Sequence, residues 1–130
     1  MAATFLSPLV DKPGARLALR NIRTGRIVAD RLLPALDSQT RRTGLLTHTS
    51  LEDGEAMVIA PTSAVHTWFM KFAIDVAFVA RDGRVLKARD TVRPWRMTGA
   101  FGGFAVIEMR AGSLAAADTA RGDVLEVVEL

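Results

Sequence analysis

The chain has 130 residues, 49% of them hydrophobic, with no cysteine and a net charge of +3. That length fits one domain with a core that needs no covalent staples, and the missing cysteine excludes disulfides, thiolate metal sites and a cysteine nucleophile. No stretch approaches the ~20 apolar residues of a membrane-spanning helix and no basic residue precedes the apolar N-terminal stretch, so the chain reads as cytoplasmic, without membrane association.

In chain order, residues 1–14 read as a loose arm, broken by Pro8, Asp11 and Pro13, before a single β-rich domain over 15–130. Leu17, Leu19 and Ile22 lead into Thr24-Gly25, and Ile27, Val28, Leu32 and Leu33 follow, which suggests a hairpin whose second strand stops at Pro34. Asp37 can cap a short helix reaching to about Leu46, weakened by Gly44. Residues 56–60 form a strand ended by Pro61. Ile74, Val76 and Phe78 alternate with Asp75, Ala77 and Val79, and then Asp82-Gly83 turns the chain into a second strand from Val85. Asp-Gly between two such runs is the strongest hairpin signal present, and the first of the two strands should be buried on both faces. Pro94 ends the second strand, and residues 95–103 read as a glycine-rich loop. Residues 104–109 form a strand, Ser113 caps one or two helical turns, and residues 124–128 close the sheet. The expected fold is mainly β: a compact β-sandwich or partly closed barrel of seven to eight short strands with two short helices.

The chemistry concentrates in a few places. Asp75 sits mid-strand among apolar neighbours, and an unpaired carboxylate is costly to bury there. Its candidate partners are Arg41, Arg42, Lys71, His66 and an arginine from 93–96; equally, it can be a backbone-bonded carboxylate that serves the fold. If residues 66–71 are extended, His66, Trp68 and Met70 point to one side and can line a cleft with one titratable group. Arg93-Pro94-Trp95-Arg96 sets two guanidiniums beside an indole, suited to a carboxylate, a phosphate or a stacked ring, or to a tryptophan anchoring a loop. The two histidines, His48 and His66, match no zinc spacing, and no nucleophile elbow or phosphate loop occurs. No metal, cofactor or catalytic residue is therefore expected.

The stretch His66-Thr67-Trp68-Phe69-Met70-Lys71-Phe72-Ala73-Ile74-Asp75-Val76-Ala77-Phe78 resembles the signature of domain-of-unknown-function family 192. Arg41-Arg42-Thr43-Gly44-Leu45-Leu46, the proline of Arg93-Pro94-Trp95-Arg96, Val106-Ile107-Glu108-Met109-Arg110-Ala111-Gly112 and Arg121-Gly122-Asp123 fall in that family's order. The sequence departs from the pattern at Leu46, at Thr47-His48 and at Ala73. The resemblance implies a compact β-rich fold with short helices and no particular reaction. By analogy it marks Arg41, Gly44, His66, Met70, Asp75, Pro94, Glu108 and Gly112 as residues of fold or site.

The leading expectation is a small non-catalytic binding or accessory domain, monomeric or weakly dimeric. Its cleft would hold a small anionic ligand or peptide with Arg41, Arg42, His66, Trp68, Met70, Asp75, Arg93, Trp95, Arg96 and Glu108. The rivals are a hydrolase or lyase pairing His66 with Asp75 or Glu108 as acid and base, and, more weakly, an arginine-driven nucleic-acid binder.

Overall fold

The structure, a computed structural model, describes residues 3–130 and is mainly β. Helix α1 (Ser7–Asp11) precedes strands β1 (Leu17–Asn21), β2 (Ile27–Ala29) and β3 (Arg31–Ala35). Helix α2 (Ser38–Thr43) leads to β4 (Glu55–Ile59), β5 (Ala64–His66), β6 (Ile74–Val79), β7 (Val85–Val92), β8 (Met97–Gly99) and β9 (Ala105–Arg110). Helix α3 (Ser113–Ala116) and β10 (Leu125–Glu129) complete the described residues.

A five-stranded sheet in the order β3-β4-β9-β6-β7 forms the centre, with a three-stranded sheet β10-β1-β2 and a two-stranded ribbon β5-β8 beside it. No sheet among the described residues closes into a barrel. The alternation read from β6 is the organising feature, since successive side chains of a strand point to opposite faces. Ala77 and Val79 meet Leu19, Val28 and Leu125 of the three-stranded sheet in one apolar layer. Ile74, Val76 and Phe78 meet Leu45, Leu51, Met57 and Met70 in a second layer on the other face. All six residues of β6 are buried, so this strand has core on both sides.

The Asp82-Gly83 turn joins β6 to β7 as the hairpin signal predicts. Gly83 has φ +93, and a Cβ there would run into the Leu125 carbonyl oxygen, so only glycine suits the place where β10 crosses this turn.

Several sequence expectations change. The apolar run after Thr24-Gly25 is two strands: β2 pairs with β1, the chain turns at Asp30, and β3 joins the central sheet parallel to β4. Pro34 does not stop this strand; it lies within β3, the sheet's edge, where a missing N–H is tolerated. The segment read as a loose arm is packed at least from Phe5 to Leu9: Leu6 is buried and the Phe5 N–H donates to the Arg81 carbonyl. The glycine-rich loop contains β8, paired with β5 in the register Val65↔Thr98. Asp37 does cap α2, accepting from the Thr40 N–H at 2.8 Å, but the helix ends at Gly44, which has φ +49, short of Leu46.

Asp75 is buried on the face of β6 toward the three-stranded sheet, and its partners are not arginines. One oxygen accepts from the Thr91 N–H at 2.9 Å. The other accepts from the N–H groups of Gly112 at 3.1 Å and Leu114 at 3.0 Å. A shift in register between β6 and β7, with Thr91 at φ +48, turns that N–H toward the carboxylate. Ser113 was expected to cap α3, but its side chain makes no cap bond, and Asp75 takes that place from a distant strand.

Replacing Asp75 by Ala should leave three N–H groups without acceptors and cost about 3 kcal/mol or more. Ser113→Ala should cost less than about 0.5 kcal/mol. Urea unfolding of both variants checks this, and equal losses would contradict the assignment.

Candidate functional site

The second apolar layer does not fill the space under the ribbon. On β9, Ile107 and Met109 belong to the layer between the large sheets, whereas Val106 and Glu108 point to the opposite face. Glu108 lies in register with Met57 of β4 on one side and Val76 of β6 on the other. Across from it, the turn that ends α2 and the strand β5 form two walls. The result is a cleft of about 150 Å³ bounded by Arg41, Arg42, Leu45, His66, Met70 and Glu108.

Glu108 is the unusual member. Only 4% of it is exposed, and no hydrogen-bond or ion-pair partner for its carboxyl occurs among the described residues. Burial alone pushes its pKa from the ordinary 4.5 up to about 7, because the charged form loses its hydration. Near neutral pH this carboxyl is divided between a protonated form that can donate a hydrogen bond and an anion that can accept one. Arg41 and Arg42 follow from the short helix, on its last turn. The Arg41 Nη1 donates to the Leu36 carbonyl at 2.9 Å, which holds that guanidinium against the link between β3 and α2, while Arg42 is exposed. Both cations stand at the cleft, and neither forms a salt bridge with Glu108.

The remaining expected site residues divide into two groups. Asp75 lies on the other face of the sheet and is fully engaged by backbone donors, so it does not face the cleft. Trp68, Arg93, Trp95 and Arg96 lie outside the cleft on two adjoining turns. Residues 66–71 are not one extended strand: β5 ends at His66, and the Met70 N–H donates back to the Thr67 carbonyl. His66 nevertheless stacks on Trp68 with ring centroids 4.8 Å apart, so it joins the cleft to the aromatic surface.

Thr67, which has no distinguishing mark in the sequence, holds these turns together. It is completely buried. Its hydroxyl donates to the Arg93 carbonyl at 2.6 Å and accepts from the Arg96 N–H at 2.9 Å. Its own N–H donates to the Arg96 carbonyl, and its carbonyl accepts from the Trp95 N–H. A threonine beside two aromatics carries no sequence signal for such a role. His48 is half-buried, with Nδ1 enclosed and unbonded.

At the far end of the sandwich, Asp123 accepts from Arg23 Nε at 2.7 Å and from Asn21 Nδ2 at 2.9 Å. The Arg23 hydrogen bond holds that carboxyl well below the usual range. These bonds account for the Arg121-Gly122-Asp123 turn as a structural feature. No group of three or more His, Asp or Glu side chains stands together among the described residues, and no helix there is long and apolar enough to cross a membrane.

The family DUF192, described as Uncharacterized ACR, matches residues 22–127, which is well over half of the chain. The chain belongs to DUF192. This DUF192 protein is similar to the crystal structure of a candidate transcription regulator from Sinorhizobium meliloti 1021, with TM-score 0.75 and 21% identity over 87% of this chain and 92% of that one. It is also similar to a protein of unknown function from Novosphingobium aromaticivorans DSM 12444, with TM-score 0.73 and 24% identity over 85% of this chain and 83% of that one. At these identities the likeness is one of fold. Comparison with curated proteins finds no match.

The raised Glu108 pKa makes the stability of this DUF192 protein depend on pH. Between about 4.5 and about 7 the folded chain binds a proton that the unfolded chain has lost, so stability falls as pH rises through this window and levels off above it. The full change is on the order of 3 kcal/mol. Glu108→Gln should abolish this part of the slope. Urea unfolding at pH 5 and pH 8 measures it, and identical slopes in the two proteins would refute the buried, unpaired carboxyl.

Proposed function

We propose that the cleft under the β5-β8 ribbon binds a small ligand with an anionic group and does so without catalysis. The observation that carries this reading is Glu108, a buried carboxyl with no partner of its own at the base of a cleft bordered by Arg41, Arg42 and His66. An apolar residue would serve the core better at that position, so an unpaired carboxyl there fits a role in recognition. Protonated Glu108 donates a hydrogen bond to the incoming oxygen, and the arginines supply the positive charge. About 150 Å³ suits a carboxylate or phosphate group with few attached atoms.

The acid–base alternative retains His66 with Glu108 and loses Asp75, which is committed to α3 and the β7 bulge. The missing carboxylate partner for His66 among the described hydrogen bonds makes binding the better-supported reading.

The test is a titration with acetate, N-acetylglycine and inorganic phosphate, followed by nuclear magnetic resonance at the His66 imidazole. Binding should weaken as pH rises above about 7, approaching tenfold per pH unit as Glu108 ionises against the anion. Glu108→Gln should bind without this loss, and Arg41→Ala with Arg42→Ala should bind at least about tenfold more weakly. Failure of all three probes to shift His66, or an affinity unchanged from pH 6 to pH 9, would overturn the proposal.

A further inference from the structure

The cleft leaves a second feature of the same end of the molecule without a purpose. Phe69 and Trp95 sit on the two turns clasped by Thr67, with ring centroids 4.7 Å apart and an interplanar angle of 61°. They are 68% and 58% exposed, so neither contributes much to the core. Both also have left-handed backbones, with φ +65 and φ +67. Glycine and asparagine take that conformation readily, whereas bulky residues are strained in it. Burial and backbone preference therefore both argue against an aromatic side chain at either position, and the sequence places one at each.

The surroundings extend this pair into a surface. Trp68 is 41% exposed and stacks on His66, and His66 pairs in register with Met97, which is 66% exposed. The charged side chains of residues 64–74 and 91–101 are Lys71, Arg93 and Arg96, with no carboxylate in either stretch. None of the three forms a salt bridge among the described residues, so each charge is open to a partner's carboxylate. Tryptophan, phenylalanine, methionine and arginine are the residues enriched where proteins meet proteins. The Thr67 hydrogen bonds hold the surface in one arrangement before anything binds, which lowers the entropic cost of docking.

We propose that the surface formed by Trp68, Phe69, Trp95 and Met97 docks a polypeptide segment with one large apolar side chain flanked by acidic residues. The apolar side chain lies against the Phe69–Trp95 pair, and the carboxylates meet Arg93, Arg96 and Lys71. A single-stranded nucleic acid fits less well. Such ligands stack their bases on open ring faces along a basic track. Here one face of Trp68 is covered by His66, and Phe69 and Trp95 are turned edge to face on each other.

The test uses phage-displayed random dodecapeptides selected on the full chain, with enriched sequences resynthesised with both termini capped. Trp68 and Trp95 are the two tryptophans of the chain, so intrinsic fluorescence reports on this surface directly. Enriched peptides should carry Leu, Ile, Phe or Trp between Asp or Glu residues and should shift that fluorescence. Phe69→Asn with Trp95→Asn suits the left-handed backbone, so the double variant should melt no lower than the parent while binding the peptides at least tenfold more weakly. Arg93→Gln with Arg96→Gln should weaken binding and flatten its salt dependence. Glu108→Gln and Arg41→Ala should leave peptide binding unchanged, which separates this surface from the cleft. The proposal is overturned if selection yields no such pattern or if the double asparagine variant binds as the parent does. A marked fall in melting temperature in that variant also overturns it, because the aromatics would then serve the fold. So does oligothymidylate binding, or self-association in sedimentation, that depends on Phe69 and Trp95 when peptide binding does not.

Discussion

A carboxylate enclosed by apolar side chains must be met by hydrogen-bond donors, and the way Asp75 meets them ties the molecule together. Its two oxygens take N–H groups from the bulge of β7 and from the start of α3, segments 16 to 39 residues away in sequence. The Thr91 bond fixes how β7 leaves the central sheet, and that exit positions the turn carrying Arg93 and Arg96. Thr67 then clasps the turn from the opposite segment. The site end of the protein thus rests on one buried charge satisfied entirely by backbone.

The two acidic residues of the central strands show how environment separates roles. Asp75 and Glu108 lie on neighbouring strands of one sheet, yet they point to opposite faces because Val76, not Asp75, is the register partner of Glu108. On one face three N–H groups converge on the carboxylate. On the other the carboxyl meets apolar side chains and a cleft, and burial pushes its pKa up to about 7. A buried charge with full hydrogen bonding supports a fold, whereas a buried carboxyl without partners costs stability, and that cost is what motivates the binding role proposed for Glu108.

The cleft and the aromatic surface meet at His66 but differ in shape and polarity. The cleft is small and polar at its base, and is the proposed place for the charged end of a ligand. The surface is apolar and exposed, with Lys71, Arg93 and Arg96 next to it in sequence, and is the proposed dock for side chains of another polypeptide.

Much of this was legible in the residues themselves. Strict alternation on β6, Asp-Gly at the hairpin and the capping aspartate of α2 are local signals, because side-chain period and turn chemistry depend only on near neighbours. The cost of burying Asp75 was equally readable, and so was the membership carried by residues 66–78. The identity of its donors was not, since N–H groups have no sequence signature and are brought there only by the folded chain. Glu108 stood out only through the family resemblance, because its isolation depends on which face of β9 the register exposes to the cleft. The parallel pairing of β3 with β4 and the clasp of Thr67 were likewise decided by contacts between distant segments, for which no local pattern of residues provides a code.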